Sequence, residues 1–149
     1  MNNPQERIVH LIQRMEELIP LYMKKDEDKG ISNGNVAVCI IDEAGGVFGK
    51  VFAHNKKIRA RESFRVAWIK ASQVWLTGMK TGEYEKKVYS GELSEGISGI
   101  NKPDFIGWEG GQPLILKDGS KLSVGCSGFR GLTDLEIVLK ALEQIETAE

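Results

Sequence analysis

Glu109-Gly110-Gly111-Gln112-Pro113, then Leu114-Ile115-Leu116 and Lys117-Asp118-Gly119, then a second run ending in Gly125-Cys126-Ser127-Gly128 and Thr133-Asp134: this stretch decides the fold. Asp-Gly between two apolar runs is a strong short-range hairpin signal. Glycines at both ends of the hairpin remove side chains, so the backbone can approach a ligand, a helix or another chain closely. Thr133-x-x-Glu136 has the form of a capping box. Leu135, Val138, Leu139, Leu142 and Ile145 give the helix behind it an apolar face.

A second hairpin lies upstream. Val36 to Ile41 is almost continuously apolar, as expected of a strand covered on both faces. Asp42 to Gly46 is a turn, and Val47 to Ala53 returns as the partner strand. Between and around the hairpins the period changes to that of helices. Asn3-Pro4-x-Glu6 starts the first one, with Asn3 as N-cap and Pro4 at the first helical position. Ile8, Leu11, Ile12, Met15, Leu18, Ile19 and Tyr22 form its apolar stripe. Pro20 should kink it or end its regular part, and Lys24 to Lys29 with Gly30 form a charged exit.

A second helix is expected over about Glu62 to Met79, with Phe64, Ala67, Trp68, Ala71, Val74 and Trp75 on one wide face. Ile69 and Leu76 on its back call for a second cover, for which another subunit is natural in so small a chain. Thr81 is placed to cap a short helix through Tyr84 to Val88. Residues 90–109 read as a long irregular segment, punctuated by Gly91, Gly96, Gly99, Pro103 and Gly107. Such a loop in a compact domain is usually functional or an interface. Its Ile97, Ile100, Phe105, Ile106 and Trp108 are too apolar for a solvated linker and should cover a groove or a partner.

Two hairpins separated by helices predict one antiparallel sheet with helices packed largely on one face, an α+β fold. The long segment has room for a fifth strand. At 149 residues a single domain over 1–149 is expected. The formal net charge of -1 leaves no sequence-wide basic field for nucleic acid. The local basic patch of Lys50, Lys56, Lys57, Arg59, Arg61 and Arg65 reads as a solvated loop. No stretch is long and apolar enough to span a membrane, and the N-terminus lacks the pattern of a signal peptide, so cytoplasm is the default compartment. Cys39 and Cys126 have no metal-ligand spacing and read as small core residues.

Candidate chemistry is sparse. His10 falls off the apolar stripe, beside Arg14 and Glu17. A surface histidine outweighs the sharper reading, an axial metal or haem ligand reached through a groove or a neighbouring subunit. His54 ends the second strand beside the basic segment, where it could orient an anion or ligate a metal, readings that a plain strand-end surface residue outweighs. Two histidines without a carboxylate partner make a weak metal site, and none is expected. Cys126 and Ser127 do not form a Gly-x-Ser-x-Gly elbow, because Gly128 follows Ser127 directly. Lys70 reads as a snorkelling rim residue, with a phosphate or carboxylate anchor as the alternative. Glu109, before two glycines, could be aimed into a cleft. Asp134 is explained by the helix dipole alone. Lys70, Glu109, Ser127 and Asp134 would make a polar pocket if they met.

The glycine pattern resembles that of the GlcG/HbpS-like family, small haem-binding or haem-degrading proteins similar to the C-terminal domain of PduO-type corrinoid adenosyltransferases. The matching pieces are Gly110-Gly111-Gln112-Pro113, Leu114 to Leu116, Asp118-Gly119, Gly125-Cys126-Ser127-Gly128 and Asp134, together with Lys70-Ala71 and Thr81. The resemblance runs from about Val36 to Leu142. The resemblance implies a profilin-like fold with a central antiparallel sheet of about five strands, a homo-oligomer, and haem or a related planar cofactor as ligand. A first-helix histidine ligates haem in one branch of the family, and His10 is the nearest candidate here. The chain departs from the family pattern at Ala53-His54-Asn55-Lys56-Lys57, at Phe129-Arg130 and at Trp108-Glu109.

Three functions follow. The first is an oligomeric cytoplasmic binding protein holding haem or a similar ligand in an apolar groove near the Gly-Gly-x-Pro turn of Gly110 and Gly111, which the long apolar segment, Trp108 and His10 would line or ligate. The second is a small-molecule lyase, hydrolase or isomerase using Glu109, Lys70 and His54. The third is a structural or accessory subunit without a ligand.

Overall fold

The computed structural model describes residues 3–24, 34–53, 55–94, 96, 98–101 and 104–148. The elements run α1 (Pro4–Tyr22), β1 (Ala37–Asp42), β2 (Val47–Val51), α2 (Lys57–Thr77), α3 (Thr81–Tyr89), β3 (Gly111–Ile115), β4 (Lys121–Ser127) and α4 (Gly131–Thr147). The four strands form one antiparallel sheet in the order β2-β1-β4-β3. The fold is therefore α+β as expected. The strand count is corrected from about five to four among the described residues. The long segment supplies turns and bends there rather than a strand.

Local signals explain the ends of these elements. Asn3 caps α1 through its side-chain oxygen, which accepts from the Gln5 amide at 2.9 Å. Asp42 closes the β1–β2 turn by accepting from the Ala44 and Gly46 amides. Asp118 closes the β3–β4 turn by accepting from the Ser120 amide and hydroxyl. Those bonds from Ser120 hold the Asp118 carboxyl below its ordinary pKa. Pro113 sits on the edge strand β3, where a missing ladder donor costs least.

The sheet is covered on both faces, not largely on one. On one side α1 and α4 pack over Val36, Val38, Ile40, Leu114, Leu122, Val124 and Cys126, forming the main core. On the other side α2 lies over Ala37, Cys39 and Ile41 through Ala67 and Ala71. Strand β1 is buried from both directions, which is why its sequence is uninterruptedly apolar.

The α2 side has an unusual floor. Gly49, Cys39, Gly125 and Gly111 stand in register across all four strands. A Cβ on Gly125 would run onto the Ala67 carbonyl oxygen and come within 2.6 Å of the Ala71 nitrogen. A Cβ on Gly111 would strike Thr81, and one on Gly49 would lie 2.9 Å from the Phe64 ring. The row is a trough, and α2 lies in it.

Three further expectations are corrected. Helix α2 begins at Lys57, so most of the basic segment forms helical turns rather than a solvated loop. Helix α4 begins at Gly131 with Arg130 at the N-cap, so Thr133 and Glu136 do not make a capping box. The α2 wheel is rotated: Ser63, Val66, Ala67, Lys70, Ala71, Gln73 and Val74 face inward, Phe64 lies partly exposed over Gly49, and Trp68, Trp75 and Leu76 face out. Small residues win the inner face because only they let α2 reach the glycine row. The expected charged exit from Lys25 to Gly30, His54, Ile97 and Pro103 all lie outside the described residues.

Candidate functional site

Lys70 occupies the middle of the buried face of α2, one turn from Ala67 and Val74. It is not a rim residue: its side chain and that of Asp134 are each 2% exposed. The ammonium donates to the Glu109 carbonyl at 2.8 Å, to the Cys126 carbonyl at 2.8 Å, and to Asp134 Oδ2 at 3.3 Å. A lysine carries three donors, and each has an acceptor here. Asp134 Oδ1 in turn accepts from the Phe129 amide at 3.0 Å, and the Cys126 thiol lies 4.0 Å away. One side chain therefore ties the end of the long segment, the end of β4 and the start of α4 together. Burial, and secondarily the Asp134 charge, push the Cys126 thiol well above its usual pKa, so it stays protonated.

The glycines next to this knot make room for it. Gly110 has φ +117°, and a Cβ there would sit 2.8 Å from the Lys70 nitrogen and 2.6 Å from the Cys126 carbonyl oxygen. Thr81, at the first position of α3, donates to the Trp108 carbonyl at 2.6 Å and accepts from the Gly111 amide at 3.3 Å. It ties the start of α3 to the chain entering β3 rather than capping α3, whose N-cap is Lys80. Gln73, on α2, holds the same long segment at Ile106. Its amide donates to the Ile106 carbonyl at 2.8 Å and accepts from the Ile106 amide at 3.1 Å. Sequence reasoning passed over Gln73. Its signal was a polar residue inside an otherwise apolar helix segment.

The expected polar pocket thus takes a different form. Lys70, Asp134, Gly110 and the backbone of Glu109 converge, but as a closed, hydrogen-bonded knot. The Glu109 side chain turns to α3, where it packs against Gly82. Ser127 is buried at the end of β4, beside Cys126. Gly111 is buried beneath Thr81 and Val74. Trp108 faces outward, 69% exposed.

His10 lies elsewhere. It borders an open groove of about 480 Å³ with Asn3, Gln5, Glu6, Val9, Gln13 and Phe48 of β2. Strands β2 and β3 are opposite edges of the sheet, so His10 and the Gly-Gly-x-Pro turn do not line one groove within a chain. Pro113 borders a separate cavity of about 490 Å³ with Val74, Trp75 and Gly78. The His10 Nδ1 atom is buried without a hydrogen-bond partner. Among the described residues, no three His, Cys, Asp or Glu side chains cluster as metal ligands. No described helix is long and apolar enough to cross a membrane.

The fold has solved relatives. A Klebsiella pneumoniae protein, ORFY, of the DUF336 family, superposes with a TM-score of 0.67 at 19% identity, over 93% of this chain and 90% of that one. PduOC, solved as a haem complex, superposes with a TM-score of 0.63 at 18% identity, over 90% and 91%. HbpS superposes with a TM-score of 0.54 at 17% identity, over 91% and 86%. At such identities the likeness is one of fold. No curated protein matches the sequence. The family described as haem degrading protein HbpS-like matches residues 14–143, nearly the whole chain. The chain belongs to the HbpS-like family.

Proposed function

We propose that this HbpS-like protein binds haem or a related planar cofactor in the groove beside His10. The observation that carries the reading is His10 itself, an imidazole bordering a groove flanked by Val9 and Phe48, with Nδ1 enclosed by the protein so that Nε2 would be the ligating atom. The cavity volume is within the ~300–1,000 Å³ common for small-molecule sites. Val9 is half exposed and offers apolar surface for a ring face. The fold likeness to PduOC, which was solved with haem, supports the same ligand class.

The residues present fit such a group on one side. The His10 imidazole would hold it, Val9 and Phe48 would flank it, and the amides of Asn3, Gln5 and Gln13 would meet polar substituents. Haem, when bound, would supply an iron that an imidazole can ligate. Among the described residues, no lysine or arginine lines the groove, so ring carboxylates would point to solvent. The reading places the ligand beside α1 rather than beside the Gly-Gly-x-Pro turn. It includes self-association of the chain and a cytoplasmic setting.

Titrating the purified protein with haemin tests this. A shifted Soret band that is lost in His10→Ala and retained in Trp108→Ala is expected. A spectrum identical to free haemin, or a shifted band indifferent to His10→Ala, removes the reading.

A further inference from the structure

An ion pair stands at one end of the groove beside His10. Lys50 Nζ meets both carboxylate oxygens of Glu16, at 3.0 and 2.9 Å, and so bridges β2 to α1. Phe48 and Lys50 are alternate residues of β2, opposite Ile40 and Val38 of β1, so both face α1. On α1, Val9, Gln13 and Glu16 stand at i, i+4 and i+7, along one stripe. Val9, Gln13 and Phe48 line the groove. Each wall therefore continues, one step on, into a partner of the ion pair. The step is about 7 Å along β2 and about 5 Å along α1.

The groove is polarised along its length. Among the described residues that line it, Glu6 carries the one formal charge, one turn before His10 and toward the N-terminal end of α1. Lys50 stands past the other end. A ligand with carboxylates on one edge is repelled at the Glu6 end and attracted at the Lys50 end. The Lys50 and Glu16 side chains are 48% and 41% exposed. A pair so open to water contributes little to stability, so another carboxylate can replace that of Glu16 at little cost.

We propose that Lys50 is the carboxylate anchor of this groove, held in place by Glu16 in the free protein and passed to a ligand carboxylate on binding. The inference rests on the groove reading and narrows the ligand to planar molecules with a carboxylate on one edge, a class that includes haem. Ring carboxylates that leave the groove for solvent meet this ammonium. Glu16 has two effects. It keeps the ammonium at the groove end, and it competes with the ligand for it. The exchange swaps one carboxylate for another on the same ammonium, and no proton or electron moves.

Soret titration of the full-length chain with two probes tests this: haemin, and haemin dimethyl ester, whose carboxylates are blocked. Lys50→Met is expected to weaken haemin binding about fivefold, the upper end for an exposed charge pair, and to leave the ester unchanged. Lys50→Arg should restore haemin binding. Glu16→Gln breaks the same bridge between α1 and β2 but removes the competitor, so haemin binding should tighten about twofold. A bridge that merely held α1 to β2 would weaken both variants toward both probes, and that result overturns the proposal. So does Lys50→Met protein that binds haemin as the wild type does while His10→Ala loses the Soret shift; the groove reading then stands without the anchor. Haemin binding that depends on Lys50 but is indifferent to His10→Ala upholds the anchor and removes the imidazole as the ligating group. A wild-type spectrum identical to free haemin overturns both.

Discussion

The two faces of the sheet attach their helices by different physics. On the α1–α4 face, bulky aliphatic side chains interdigitate, and many separate burials share the stabilisation. On the α2 face there is almost no side-chain volume in the centre. Gly49, Cys39, Gly125 and Gly111 face Ala67 and Ala71, and the helix backbone comes down nearly onto the sheet. What that face lacks in apolar volume is offset by a polar knot at one end, Lys70 with Asp134 and two carbonyls. The first arrangement tolerates small losses. The second has few parts, and each is hard to change.

Gly125→Val should show the contrast most strongly. Its side chain has nowhere to go but into the α2 backbone at Ala67 and Ala71, so the helix must leave the sheet. Loss of the cooperative melt, with material in the insoluble fraction, is the expected outcome. A soluble variant with a wild-type melting profile would show that α2 does not sit in the glycine trough.

Lys70→Met comes next. It removes the ammonium and leaves the Asp134 carboxylate buried without its cation, the Phe129 amide still donating to it. Breaking one side of such a pair costs about 3–5 kcal/mol. Lys70→Met combined with Asp134→Asn should cost clearly less than the sum of the two single changes. Urea denaturation of the four proteins measures this. A coupling near zero would mean that the ion pair does not hold these elements together.

Much of the architecture was legible from residues one to four positions apart. Asn3-Pro4, Asp42 to Gly46 and Asp118-Gly119 each act through local hydrogen bonds, and each formed the predicted start or turn. The inner face of α2 was not legible in the same way. A wheel ranks faces by apolarity, and it placed Trp68 and Trp75 inside. The glycine row reversed that order, because a helix that must touch sheet backbone cannot carry tryptophan there. The row exists only in the strand register, joining Gly49 to Gly111 across four strands. Lys70 was misplaced for the same reason. A lysine flanked by Ala67, Ala71 and Val74 reads as snorkelling until its acceptors, carbonyls 39 and 56 residues away, are known. The site was split likewise. Sequence placed His10 and the Gly-Gly-x-Pro turn in one groove, and only the strand order shows them at opposite edges.

On the aliphatic face a small deletion should be absorbed. Ile40 is fully buried in the main core, in register with Phe48 and Val124. Ile40→Val should lower stability by about 0.5–1.5 kcal/mol, with the two-state transition intact. A loss as large as that of Lys70→Met would mean that the two faces do not differ in tolerance.

The last effect is absent at neutral pH and appears only in alkali. Cys39 lies in the trough between Gly49 and Gly125, and burial raises its thiol from 9.0 to about 11. Between those values the unfolded thiol loses its proton while the folded one keeps it. The folded state then binds more protons than the unfolded state, so stability falls as pH rises from 9 toward 11 and is unaffected below that window. Cys39→Ala, which suits the small-residue trough, should flatten this part of the slope. Cys126, also raised by burial, leaves a remainder in the variant. Urea midpoints at pH 8, 9, 10 and 11 report the difference directly. An unchanged slope in Cys39→Ala would show that the thiol ionises freely in the folded protein, and so that the trough opens to water beneath α2.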